Sequence, residues 1–174
     1  MIELEKTYLA KNIPENLQSC KFKEIIDVYI PKSSEHPKLR LRKNGDKFEL
    51  TKKEPVEKGD ASCFEEQTIR LTEIEFNALN SLDGKRVRKL RYYFDYCNRT
   101  AEVDVFQDVL EGFILVDFEF ETIEEKDKFE MPDFCLADIT QELFTAGGMI
   151  CGKSYQDIEG DLKRFGYQKL FISI

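Results

Sequence analysis

Apolar and polar residues alternate with a period of two through much of this chain, and an extended strand sends successive side chains to opposite faces. In 2–10, Ile2 and Leu4 share one face while Glu3, Glu5 and Thr7 share the other. Leu39 and Leu41 oppose Arg40 and Arg42; Ala101, Val103 and Val105 oppose Glu102 and Asp104; Val116, Phe118 and Phe120 oppose Asp117 and Glu119. Lys89 and Arg91 lie together on one side of a further segment. The pattern predicts strands over 2–10, 21–31, 38–44, 46–53, 62–71, 85–96, 100–107 and 113–122. Asn44-Gly45 signals a hairpin and Glu111-Gly112 another tight turn. Thr72 with Glu75 three residues on is a capping-box signature for a helix near 73–82; 123–130 and 155–164 are further helical candidates. Eight strands in succession, mostly joined by short turns, place the chain in the α+β class and favour an antiparallel sheet or barrel over a βαβ arrangement.

The polar faces are sorted by sign. Three strands present paired carboxylates and others present paired bases, with few neutral residues between them. One reading is a sheet with one buried face and one wet, charged face. The other is a barrel closed with its charged face inward, where like charges are crowded together and call for counter-ions. A divalent cation among the carboxylates and a polyanion among the bases would meet both needs. Hard Mg²⁺ or Mn²⁺ suits Glu and Asp pairs without His or Cys, and Arg and Lys suit phosphate.

Composition narrows the chemistry. The 174 residues are 41% hydrophobic, enough for one globular domain spanning 1–174 with no repeat or linker. A net charge of −8 argues against a general nucleic-acid platform, so any anion must be held by a local cluster. His36 is the one histidine and precedes Pro37 in a loop-like stretch, which argues against Ser-His or Cys-His hydrolysis. The five cysteines are odd in number and widely spaced, without a Cys-x-x-Cys pair, and read as reduced packing residues. The first residues lack a signal-peptide pattern and no apolar run is long enough for a membrane span, so a cytoplasmic location without a membrane partner is expected.

Taken together in order, these segments resemble the CYTH, or triphosphate tunnel metalloenzyme, superfamily, which includes inorganic triphosphatases, thiamine triphosphatases and class IV adenylyl cyclases. Glu3-Leu4-Glu5 is similar to its N-terminal Glu-x-Glu-x-Lys, Leu39 to Arg42 to its basic strand, and Leu50-Thr51-Lys52-Lys53 to its Leu-Thr-x-Lys. The run Arg86 to Tyr93 is similar to its Lys-x-Arg strand, Glu102 to Phe106 to its acidic strand, Asp117 to Phe120 to its Glu-x-Glu-Phe, and Asp138-Ile139-Thr140 to its late Glu-Val-Thr. The resemblance implies an eight-stranded antiparallel barrel, a tunnel, with helices packed outside. It implies metal at Glu3, Glu5, Asp117 and Glu119, phosphates at Arg40, Arg42, Lys53, Lys89 and Arg91, and an acidic lining that includes Glu66, Glu102 and Asp104. Glu3, Glu5, Glu102 and Asp104 become the candidate catalytic carboxylates. Two departures stand out: the family's lysine after Glu-x-Glu falls on Thr7, with Lys6 next door predicted on the other face, and Phe64 and Thr68 stand where Arg and Glu are common.

Gly147 to Ser154 matches the Gly-x-x-x-x-Gly-Lys-Ser phosphate loop, but that loop needs a parallel strand before it and several βαβ units around it. Lys153 is retained as a candidate that reaches the tunnel mouth; the competing reading is a turn that caps the last helix. The expected activity is metal-dependent hydrolysis of a linear triphosphate, with inorganic tripolyphosphate the first choice and the chain a monomer or homodimer. A class IV-type cyclase and a non-catalytic polyphosphate-binding or nucleotide-binding module are the alternatives, the second raised by Thr7.

Overall fold

A computed structural model describes residues 2–172. Among them the elements run β1 (Ile2–Ala10), β2 (Phe22–Ile30), β3 (Leu39–Asn44), β4 (Lys47–Pro55), β5 (Cys63–Leu71), α1 (Glu73–Asn80), β6 (Lys85–Tyr96) and β7 (Arg99–Phe106). There follow β8 (Ile114–Phe120), α2 (Ile123–Lys128), β9 (Cys135–Asp138), α3 (Gly147–Ile150) and α4 (Tyr155–Lys163). All eight strands expected from the alternation are present. Gly45 takes a φ of 59° in the β3–β4 hairpin, as Asn44-Gly45 foretold. Thr72 and Glu75 close their capping box, with Thr72 N–H donating to Glu75 Oε2 at 2.7 Å.

Every strand pairing is antiparallel, and the order β5-β4-β3-β2-β6-β7-β8-β1 closes on itself through β1 and β5. β1 is the seam. One edge runs unbroken along β8 from Leu4↔Phe120 to Leu9↔Leu115. The other edge takes β5 over Ile2 to Leu4 and β9 over Tyr8 to Ala10. Between them the Glu5 N–H donates to the Ser62 carbonyl and the Thr7 N–H to Thr140 Oγ1, both at 3.1 Å. β9 was not anticipated, because four residues are too few to show a period.

The apolar faces point outward. Leu4, Val103, Val116, Phe118 and Phe120 form a cluster outside the barrel with Leu17 and Cys135. Phe129, which follows α2, lies with its ring centroid 4.5 Å from that of Phe118. Val28 and Leu41 are covered by Phe76 of α1. At one end the inner face itself turns apolar: Leu9, Tyr29, Val87, Phe106 and Leu115 pack with Ile139, Ile150 and the α4 residues Ile158 and Leu162. Cys135 and Cys151 are buried as expected, whereas Cys97 is exposed. It shares the β6–β7 turn with Asn98, both at positive φ (47° and 62°), a conformation that takes it out of the core. No described helix is long and apolar enough to cross a membrane.

Because Phe118 is fully buried on the outer face, Phe118→Ala is expected to cost about 3–5 kcal/mol. Chemical denaturation of the two proteins, read as the shift in midpoint at constant slope, checks it.

Candidate active site: a charged cavity inside the barrel

With the apolar faces turned outward, the charged faces line a cavity of about 460 Å³. Glu3, Glu5 and Thr7 of β1, Arg40 and Arg42 of β3, Lys53 of β4, Lys89 and Arg91 of β6, Glu102 and Asp104 of β7, and Asp117 and Glu119 of β8 all contribute to its wall. The two readings left open by the alternation are thereby decided: the charged face is the inner one. β7, β8 and β1 are neighbours in the barrel, so the carboxylates form one continuous acidic sector facing the bases of β3, β4 and β6. Among the described residues the cavity is lined by nine carboxylates and six lysines or arginines.

The deeper bases are held by carboxylates. Arg42 meets Asp27 with two parallel hydrogen bonds of 2.7 and 2.8 Å. Burial pushes the Asp27 carboxyl up, but the Arg42 guanidinium more than offsets this and holds it well below the ordinary range. Arg91 donates through Nε and one terminal nitrogen to the two oxygens of Asp104, both at 2.7 Å, and through the other to Glu102. Lys89 also donates to Asp104. Asp104, buried but facing two bases, is kept down at about 2. Lys53 sits 2.7 Å from Glu3 and 2.6 Å from Glu5, with its ammonium 4.3 Å from the centre of the Phe64 ring. Burial lowers the Lys53 pKa, and Glu5 and Glu3 more than restore it.

The acidic sector is short of such partners. Glu5 stands directly opposite Glu119, and Glu102 opposite Asp117, and like-charged cross-strand pairs repel. Burial raises the pKa values of Glu5, Glu102 and Asp117. Glu119 stands at the exposed edge of the cavity, yet partial desolvation of its carboxyl, with repulsion from Glu102 and Glu3, pushes it up to about 7. Glu3 Oε2 is buried and, despite its closeness to Lys53, accepts no well-formed hydrogen bond. Hard oxygen donors in mutual repulsion fit a divalent cation. Among the described residues, however, no three His, Cys or carboxylate groups converge in a ready-made ligand set. The Lys53 ammonium occupies the space between Glu3 and Glu5 instead.

Several expectations can be placed on the structure. The register of β1 on β8 is continuous from Leu4 to Leu9, so no bulge brings Lys6 inside. Its ammonium donates outward to the Phe129 carbonyl at 3.2 Å. Thr7 lines the cavity, and its hydroxyl donates to Asp117. Glu66 lies outside the cavity lining, 3.4 Å from Arg40. Lys153 is also outside it. That lysine follows Gly152, whose φ is 76°, and precedes the Ser154–Asp157 capping box of α4. The segment before it is the short helix α3, not a strand, which removes the phosphate-loop context. Asp27 was missed, although a lone Asp among Ile25, Ile26, Val28 and Tyr29 is a signal for a buried ion pair. His36 and Lys38 also line the cavity and were not singled out as binding residues.

No protein-family model matches the chain, and no curated protein does. Solved structures share its fold. The inorganic triphosphatase NE1496 superposes with a TM-score of 0.63 at 21% identity, over 87% of this chain and 95% of that one. A Bacillus halodurans protein provisionally named an adenylate cyclase gives 0.53 at 16% identity, over 99% and 94%. The PH1012 protein of Pyrococcus horikoshii OT3 gives 0.51 at 18%, over 95% and 91%. At these identities the likeness is one of fold, and it is the fold that the ordered motifs of the sequence imply.

The raised carboxylates make ligand-free stability pH-dependent. A carboxyl whose folded pKa lies above its unfolded value stabilises the fold fully below the unfolded pKa, and this contribution is lost as pH rises through the folded one. For Glu119 the window runs from 4.5 to about 7. The Glu119→Gln variant is expected to lose less stability than the parent between those pH values, measured by denaturant titration at a series of pH values without metal.

Proposed function

We propose that this chain is a triphosphate tunnel metalloenzyme that hydrolyses a linear triphosphate, with inorganic tripolyphosphate the preferred candidate and Mg²⁺ or Mn²⁺ as cofactor. The observation that carries the reading is the closed barrel with bases from β3, β4 and β6 facing carboxylates from β7, β8 and β1 across one cavity. Likeness of fold to a protein called an inorganic triphosphatase supports it.

The charge count supports metal dependence. Nine carboxylates exceed six bases before any substrate enters, and a bare triphosphate would add several negative charges beside them. A hard cation on Glu3, Glu5, Asp117 and Glu119 would neutralise the acidic sector and polarise a phosphoryl oxygen. The chain's own residues supply positioning. Asp27 fixes Arg42 through Nε and one terminal nitrogen, so donors on the other nitrogen are left to point at an anion. Asp104 likewise holds Lys89 and Arg91 side by side, acting as their anchor and not as a proton acceptor, since its carboxyl stays ionised to about pH 2. Glu102, whose carboxyl is raised by burial, is the better placed group to orient or deprotonate water. Positioning and neutralisation of this kind are the main sources of rate in phosphoryl transfer.

A second reading, a polyphosphate-binding module without turnover, is favoured by one observation. The inner face beside Glu5 carries Thr7 where an ammonium would otherwise stand, while Lys6 is spent on the outer surface.

Tripolyphosphate with Mg²⁺ at 100 times Kd is expected to stabilise the folded chain by about 2.7 kcal/mol, read as a rise in melting temperature; no shift at millimolar ligand rejects the site. Phosphate release from tripolyphosphate, thiamine triphosphate and ATP then separates enzyme from binder. Thr7→Lys is expected to raise turnover of a slow hydrolase, and Lys6→Ala to leave it unchanged. Tight binding with no release from either parent or Thr7→Lys would establish the binding module.

A further inference from the structure

The cavity bases differ in how well they are compensated. Arg42, Lys53, Lys89 and Arg91 each meet a carboxylate at close range. At the start of β3 the pattern breaks. Among the described residues Arg40 has Glu66 as its ion-pair partner, at 3.4 Å, and a hydrogen bond to the Tyr29 hydroxyl, while its Nε is buried without a hydrogen-bond partner. Lys38, two residues earlier and on the same face, has no carboxylate within ion-pair distance among the described residues. Its ammonium instead lies 3.2 Å from Nε2 and 3.3 Å from Nδ1 of His36. Both residues are half-buried and line the cavity. Burial and the adjacent Lys38 lower the His36 pKa, so the ring is neutral at pH 7 and supplies no countercharge beyond a lone pair.

The carboxylates around this end are engaged elsewhere. Glu54, whose field reaches Lys38, pairs with Lys52 at 2.9 Å. Glu142 is 3.4 Å from Arg164, and Asp60 accepts from Ser62 and Gln141. Glu35, the remaining neighbour of His36, is exposed. The loop that carries the pair is seated without slack. A Cβ on Gly148 would lie 2.4 Å from the Pro37 carbonyl oxygen and 2.7 Å from the His36 ring, and one on Gly147 would lie 2.1 Å from the Tyr29 hydroxyl. An uncompensated ammonium is therefore held at a fixed place on the cavity wall, beyond the bases that hold a triphosphate.

We infer that Lys38, packed against His36, forms a subsite for a further phosphoryl unit, so that the cavity prefers linear inorganic polyphosphate of four or more units to tripolyphosphate. This rests on the triphosphate reading above. Lys38 stands just before β3, and two residues of extended chain span about 6.6 Å, short enough for a longer phosphate chain to bridge from Arg40. A nucleoside triphosphate places an uncharged ribose at that position and gains nothing from the ammonium.

The test is calorimetric: Kd of the full chain for tripolyphosphate, tetrapolyphosphate and ATP with Mg²⁺, in the parent, Lys38→Met and Lys38→Arg. A charge-assisted contact is worth about tenfold or more in affinity, so the parent is expected to bind tetrapolyphosphate at least that much tighter than tripolyphosphate. Lys38→Met should bring the ratio below about threefold, and Lys38→Arg should restore it. Equal binding of the two by the parent overturns the subsite and leaves the triphosphate reading standing. A ratio that survives in Lys38→Met overturns the assignment to Lys38. Binding of neither polyphosphate overturns both readings.

Discussion

A charge removed from bulk water must be compensated, and this barrel is arranged around that requirement. Isolated carboxylates and guanidiniums inside a closed sheet would cost several kcal/mol each. Here the deeper bases of the wall are satisfied from within: Asp27 for Arg42, Asp104 for Lys89 and Arg91, Glu3 and Glu5 for Lys53. These pairs keep Arg42, Lys53 and Arg91 charged and fix all four bases in direction, while burial lowers the Lys89 pKa. The acidic half is left with Glu5 facing Glu119 and Glu102 facing Asp117, and burial first, then repulsion between neighbouring carboxylates, raises the pKa values of these four groups. The imbalance is a cost to the empty protein.

The same inversion shapes the exterior. A sheet that spends its polar faces on a cavity has its apolar faces on the outside, where they need cover. Phe76 of α1, Phe129 after α2 and Leu17 of the β1–β2 connection supply it. α3 and α4 close over an apolar stretch of inner face around Leu9, Tyr29, Val87, Phe106 and Leu115. The helices are thus the hydrophobic half of the fold and the barrel interior the polar half, the reverse of a small barrel filled by its own side chains.

Seam and mouth meet where β1 exchanges β5 for β9. Thr140 bridges to the Thr7 N–H there and is itself held by Asp138, while Gln141 ties to Asp60 and Ala61 across the gap. The 31–38 loop, carrying His36 and Lys38, and the Gly147-Gly148 segment line the same cavity. Loops at such a place vary in residue and length at little cost to the barrel.

Much of this was written in the sequence because strand periodicity is local. Alternation alone located eight strands and sorted Arg40 and Arg42 from Leu39 and Leu41, and Glu102 and Asp104 from Val103. Thr72 and Glu75 announced α1, and the order of the charged pairs carried the resemblance to the tunnel superfamily. Alternation could not say which face was inside, since a wet outer face and a charged inner one share a pattern. Closure of β5 on β1 decided that. Tertiary pairing likewise decided that Asp27 belongs to Arg42, that Lys53 sits between Glu3 and Glu5, and that Glu119 is the carboxylate left near neutrality. It placed Thr7 inside and Lys6 outside by carrying the β1–β8 register through without a bulge, and it left Lys153 in a turn. It also brought His36 and Lys38, from a loop with no period to read, onto the cavity wall. Each of these depends on contacts between residues far apart in the chain, and the free energy of a charge depends on what surrounds it in space.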